Sequence, residues 1–234
     1  MSEESNITTN IIPLIKANIL NVQLPANLVK KINNHIDNEQ QNKKDYASSL
    51  AGAIQIGEET QLDPEHESLA ELKNILIEST TTYLLHWVAN SISGQSARLN
   101  NHDIFTKKPR FEVNDMWYNK YYEGDYNPLH NHQTPSKAGL SSFLFLKTPD
   151  SLSSTADSDS KHEKKAALDG MTYFNYGQST GHDIHDLVCT PSLTVAPDVG
   201  SLWLFPKWLE HGVYPFRGEG ERRTLAANVN IWFE

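Results

Sequence analysis

With Cys189 as its only cysteine, the 234-residue chain has no internal disulfide and no thiolate cage for a metal. No apolar run approaches the roughly 18 residues that cross a bilayer as a helix, which excludes a membrane span of that kind. Basic charge is also scarce. Twenty Lys and Arg against 29 Asp and Glu leave a net charge of −9, which argues against broad, sequence-independent nucleic-acid binding. The opening Met1-Ser2-Glu3-Glu4-Ser5-Asn6 is acidic and polar, unlike a secretory signal. Together these absences predict a soluble protein of a reducing compartment, the cytoplasm.

Core material is present. Hydrophobic residues make up 38% of the chain, enough for a buried interior and too many for a disordered chain. Residues 11–22 read as an edge strand interrupted by Pro13. Pro25 opens a helical pattern carried by Leu28, Val29, Ile32 and Ile36. A longer helix follows Asp63-Pro64, with Leu69, Leu72, Leu76, Tyr83, Leu84, Trp87 and Val88 on one stripe, and ends at residues 91–94.

After about residue 100 the texture changes to short strand-like segments: 110–122, 138–147, 171–176, 187–196, 201–205, 212–216 and 222–232. Turn residues such as Glu123-Gly124-Asp125 and Gly218-Glu219-Gly220 separate them. The pattern predicts an antiparallel sandwich or barrel. Residues 150–161, with five serines, and the charged run after them read as an inserted loop over about 150–170. The expectation is a single domain over 1–234. Residues 1–100 would be a helical support and 101–234 the β core.

Ten histidines are available. His35, His66, His86, His102 and His162 stand singly and read as packing or surface residues, and His182 and His185 lie in a polar loop. His130 and His132 differ. Residues i and i+2 of a strand share a face, so His130-Asn131-His132 can offer two imidazoles to one metal ion. His211 follows an apolar strand and the corner Phe205-Pro206. Eleven residues later comes Arg222, which shares a strand face with Thr224, Ala226 and Asn228 under strict alternation. A guanidinium aimed into an apolar interior needs an anion, and a carboxylate fits its fork bidentately. Arg223 would face outward, unless a bulge exchanges the two arginines.

The order His130-x-His132, His211, Arg222-x-Thr224 resembles the 2-oxoglutarate/Fe(II)-dependent dioxygenase superfamily, in particular oxygenases of bacteria and marine phages. Trp117-Tyr118-Asn119, Gly124, Ala138-Gly139-Leu140-Ser141, the stretch from Gly200 to Pro206, His211-Gly212-Val213 and the stretch from Arg222 to Asn228 carry the likeness, over about residues 110–234. It implies an α+β, mainly β fold, a double-stranded β-helix (jelly roll) with N-terminal helices packed on one sheet. It implies a hydroxylase that uses Fe(II), 2-oxoglutarate and molecular oxygen on an unidentified substrate, a protein or peptide side chain or a small molecule. His130, His132 and His211 would hold the metal. Arg222, Thr224, Tyr118 and Asn228 would contact 2-oxoglutarate, with Asn119 the alternative to Tyr118 because the two lie on opposite strand faces, and Tyr121, Tyr122 and Tyr126 could form a substrate rim. A viral origin would place the protein in the host cytoplasm.

The superfamily's usual His-x-Asp/Glu is absent, because His132 stands where the carboxylate would be. Three arrangements accommodate this: His132 ligates, it donates to the coordination sphere while water or Asp125 ligates, or the metal site is impaired. Two other functions use similar residues, a non-redox cupin-like metalloprotein and a non-catalytic β-barrel binding module.

Overall fold

The computed structural model describes residues 18–38, 57–102, 106–132, 138–153, 168–177 and 192–234. Ten strands among them form two antiparallel sheets. The larger contains β1 (Leu20–Gln23), β2 (Glu58–Leu62), β3 (Pro109–Tyr121), β5 (Ala138–Lys147), β8 (Ser201–Pro206) and β10 (Arg222–Phe233), in the order β1-β8-β5-β10-β3-β2. The smaller contains β4 (Asn127–His130), β6 (Thr172–Asn175), β7 (Ser192–Val195) and β9 (Glu210–Val213), in the order β4-β9-β6-β7. Few helices accompany them: α1 (Ala26–Asn38), α2 (Ala70–Asn90), α3 (Ile92–Leu99) and the single turn α4 (Asp150–Ser153).

The large sheet buries both faces, which is why β10 is buried from Arg222 to Ile231. One face packs under the helices. Leu28, Val29, Ile32 and Ile36 of α1 and Leu72, Leu76 and Tyr83 of α2 meet Tyr118, Leu144, Leu202, Leu225, Ala227 and Val229. The other face turns to the small sheet through a separate aromatic cluster: Phe143, Phe145, Phe174 and Phe205. Alternation along each strand assigns its residues to one cluster or the other.

The expected strands of the C-terminal half all recur, with two differences in extent. β9 starts at Glu210 and so includes His211. Of the 187–196 segment, 192–195 is strand and 187–191 lies outside the described residues. The N-terminal half supplies more than helices, since β1 pairs with β8 and β2 with β3. Ser91 ends α2 and caps α3, its hydroxyl accepting from the Gly94 N–H at 2.8 Å. Of the expected 150–170 insertion, 154–167 lies outside the described residues, as do His162, His182, His185 and Cys189. Among the described residues no helix is long and apolar enough to cross a membrane.

Candidate metal centre and its cavity

Three histidines converge where the small sheet meets the large one. His130 ends β4 and is the register partner of His211 on β9. His132 lies two residues past the strand, so the shared-face argument does not hold it. A bond from its backbone N–H to the Lys207 carbonyl (2.9 Å) does. Ring centroids lie 5.1 Å apart for His130–His132, 4.3 Å for His130–His211 and 5.1 Å for His132–His211. One ligand atom from each ring falls within 4.8 Å of the others.

The rings are set up as lone-pair donors. His130 Nδ1 lies 2.8 Å from the Pro128 carbonyl and His211 Nδ1 lies 3.1 Å from that of Leu209. With Nδ1–H given to a carbonyl, Nε2 keeps its lone pair for a metal. Burial disfavours protonation of all three. His130 is held below the ordinary histidine range, opposed by its bond to Pro128. His132 is pushed to about 4 and His211 to about 3 by desolvation, helped by the neighbouring imidazoles. His132 Nε2 and His211 Nε2 face each other at 3.3 Å. Two neutral rings so close, with a third beside them, form a donor set suited to a divalent cation.

A cavity of about 150 Å³ runs from these rings to Arg222, with Trp117, Asn119, Tyr121, Phe143 and Thr224 among its walls. Arg222 is 1% exposed. Its Nε donates to the Gly170 carbonyl and an Nη to Thr172 Oγ1, both at 2.9 Å. Its guanidinium carbon sits 5.7 Å from the Tyr121 ring and 5.2 Å from that of Phe145. Desolvation lowers its pKa to about 10, partly offset by Tyr121. Among the described residues no carboxylate forms an ion pair with it. A buried cation left without an anion is unstable, which makes this end of the cavity a place for one.

The spacing between the two ends is readable from β6. Arg222 bonds at Thr172, and Phe174, two residues on, is the register partner of His211. Two strand residues rise about 6.7 Å, a separation that a five-carbon diacid bridges. The residues present therefore fit both an iron ion and 2-oxoglutarate.

Some expected contacts fall elsewhere. Tyr118 does not reach the cavity. It is fully buried in the helix-side core, and its hydroxyl bonds to Glu58 Oε1 at 3.3 Å. The strand parity that turns Asn119 and Tyr121 inward turns Tyr118 away. Asn228 keeps the face of Arg222 and Thr224 but lies beyond the lining residues. Arg223 does turn to the opposite face, yet it is not solvated. It is 1% exposed beneath α1, paired with Asp37 Oδ1 at 2.8 Å and with Glu221 Oε1 at 2.5 Å. Asp125 is no ligand candidate, because its Oδ2 accepts the backbone N–H groups of Gly57 and Tyr122 in the turn before β4. His35 and His66 stack on each other at 4.1 Å on the helix side. Asn119, the alternative to Tyr118, and Tyr121 both line the cavity, and Glu59 is a wall residue that the sequence did not reveal. Inward parity counted back from Arg222 chooses Asn119 and Tyr121 once the β10–β3 register is known.

Residues 115–228 match the model of a family described as "Putative 2OG-Fe(II) oxygenase". Among solved structures the chain is similar to a Pseudomonas putida prolyl-4-hydroxylase, with 14% identity, a TM-score of 0.50 and coverage of 93% of this chain and 94% of that one. It is also similar to the non-heme α-ketoglutarate-dependent carbocyclase SnoK from nogalamycin biosynthesis, with 12% identity, a TM-score of 0.52 and coverage of 93% and 82%. No curated protein matches the chain. The family match thus falls on the strands that build the histidine cavity.

Proposed function

We propose that the protein is an Fe(II)- and 2-oxoglutarate-dependent hydroxylase in which His130, His132 and His211 hold the metal and Arg222 and Thr224 hold the co-substrate's distal carboxylate. The observation that carries this is the shared cavity, with three neutral imidazoles at one end and an ion-pair-free buried guanidinium at the other. Iron and 2-oxoglutarate, when bound, would supply the electrons that activate molecular oxygen. The chain's own groups do the rest. Arg222 offers its fork to the carboxylate, and Thr224, on the same face two residues along, adds a hydroxyl. Asn119, rather than Tyr118, stands beside them, since it pairs with Thr224 and its Oδ1 is buried without a partner among the described residues. Phe143, Phe174 and Phe205 keep water from the metal end.

The two facing sheets support a double-stranded β-helix, and the pairing of β1 and β2 into the large sheet supports one domain over 1–234. The scarcity of cysteine supports a cytoplasmic site of action. Nothing in a cupin-like lyase or a passive binding barrel calls for a buried arginine facing the metal ligands. The prime substrate is a protein or peptide side chain or a small molecule.

The test is anaerobic titration with Fe(II) and 2-oxoglutarate. Wild type should develop the weak visible charge-transfer band of the chelate, and Arg222→Ala should not at the same co-substrate concentration. Iron binding with neither band nor succinate formation would overturn the reading in favour of a non-redox metalloprotein.

A further inference from the structure

Asn228 is 9% exposed, and its Oδ1 is buried with no hydrogen-bond partner among the described residues. An interior amide oxygen that folding leaves unbonded is destabilising, and next to a site it points to a ligand's N–H. Its position tells which ligand. The row Phe143–Ala226–Trp117 crosses the large sheet at the level of the histidines, since the Trp117 ring lies 5.6 Å from His132 and the Phe143 ring 6.0 Å from Phe174, itself beside His211. Arg222 stands four residues to one side of Ala226 and Asn228 two residues to the other, about 6.7 Å further along the strand. A diacid running from the metal to Arg222 extends away from Asn228.

The neighbourhood of Asn228 is built, and it is polar. Its register partners are Ser141, a cavity residue 1% exposed, and Asp115, which is exposed at a bulge between Asn228 and Val229. Two residues on, Asn230 accepts from the buried Lys207 ammonium. That lysine crosses Gly139, where a Cβ would come within 3.2 Å of its Cε. The lysine and Asn230 satisfy each other, and Asn228 is left over. The bulge breaks the β3 pairing at this point, as bulges beside sites do, and the half-exposed Trp208 follows Lys207 in the chain.

On the reading that the histidines hold the metal, we infer that Asn228 is a specificity-determining contact for the prime substrate, and that it recognises an amide group. The unpartnered Oδ1 is an acceptor, so the group that satisfies it carries an N–H. A peptide group is such a partner, and so is a small carboxamide. The hydroxylated C–H bond would then lie next to that amide, between Asn228 and the metal.

The experiment uses the full-length protein loaded with Mn(II), with and without 2-oxoglutarate, and reads proton relaxation. Enhanced water relaxation that changes on adding 2-oxoglutarate reports the metal site itself, and its absence in wild type would sink the underlying reading and this inference with it. With that signal present, N-acetyl-glycyl-glycine N-methylamide is added. Its proton resonances should broaden, and the broadening should fall about fivefold in Asn228→Leu. The ester analogue of the same peptide, lacking one N–H, should broaden less in wild type and equally in wild type and Asn228→Leu. Acetamide broadening as strongly as the peptide assigns the site to small carboxamides, and its failure assigns it to peptides. Equal peptide broadening in wild type and Asn228→Leu, or none in wild type, overturns the inference. So does a 2-oxoglutarate affinity altered more than about threefold in Asn228→Leu, which would make the residue a co-substrate contact. A melting temperature of Asn228→Leu well below wild type would mark a structural residue instead, because an unbonded buried amide replaced by an isosteric apolar group should cost nothing.

Discussion

Arg222 and Arg223 are adjacent, both 1% exposed, and opposite in role. Arg223 is matched within the fold by Asp37, Glu221 and the Asn33 amide. Burial works against the ionised form of Asp37, but its hydrogen bond and charge contact with Arg223 outweigh this, and its carboxyl sits below the usual range. Arg222 has hydrogen bonds but, among the described residues, no acid. Arg222→Ala should therefore weaken 2-oxoglutarate binding about 100-fold, the worth of a charged hydrogen-bonded pair, with little change in melting temperature. Arg223→Met should do the reverse, lowering stability by about 2–3 kcal/mol because it leaves two carboxylates behind. Isothermal titration and thermal unfolding of the two variants separate the roles, and exchanged results would refute the assignment. His132 is tested as directly. If its imidazole ligates, His132→Ala should lower Fe(II) affinity by a factor of about 10 to 100. His132→Asp, which restores a carboxylate, should recover it. Equal affinity in His132→Ala and wild type would remove His132 from the coordination sphere.

At the scale of elements, β10 explains what the sequence could and could not disclose. Its apolar–polar alternation is absent, since both faces are buried, yet the i, i+2 relation still separated Arg222 from Arg223 correctly. Parity within one strand is a local property. Parity across strands is not, and that is why Tyr118 was the wrong member of the Tyr118–Asn119 pair: the side that faces the cavity depends on the Thr224↔Asn119 register. His132 joins the other two rings for a non-local reason too, its backbone being held by Lys207 rather than by strand geometry. β2 escaped notice because Glu58–Leu62 is polar and short, and becomes a strand by pairing with β3. Gly212 shows the same dependence on neighbours. A Cβ there would meet the Tyr173 hydroxyl at 2.4 Å across the β6–β9 pair. Gly212→Ala should displace Tyr173 or β9, moving the adjacent His211. Its expected signature is metal affinity lowered about tenfold with helical content unchanged, measured by metal titration and circular dichroism.

For the whole molecule, the histidine cluster links acid stability to metal. Burial depresses the pKa of His132 to about 4 and of His211 to about 3, against an ordinary value of 6.5. A depressed folded-state pKa means that the unfolded chain binds the extra protons, so the contribution is fully present above pH 6.5 and is lost as pH falls toward 4 and then 3. Metal-free protein should thus lose stability steadily from pH 6.5 downward, and His211→Phe should flatten that slope. Metal competes with protons for the same nitrogens. At pH 7, Co(II) at about 100 times its dissociation constant should add about 2.7 kcal/mol, raising the melting temperature by about 5–10 °C for a chain of this size. That increment should hold from pH 7.5 to about 5, where burial keeps the folded-state rings neutral, and shrink only as pH nears 4. Thermal melts from pH 7.5 to 4.5, with and without Co(II), check both slopes. A Co(II) increment that survives in the His130→Ala, His132→Ala, His211→Ala triple variant would show that the metal binds somewhere other than the three converging imidazoles.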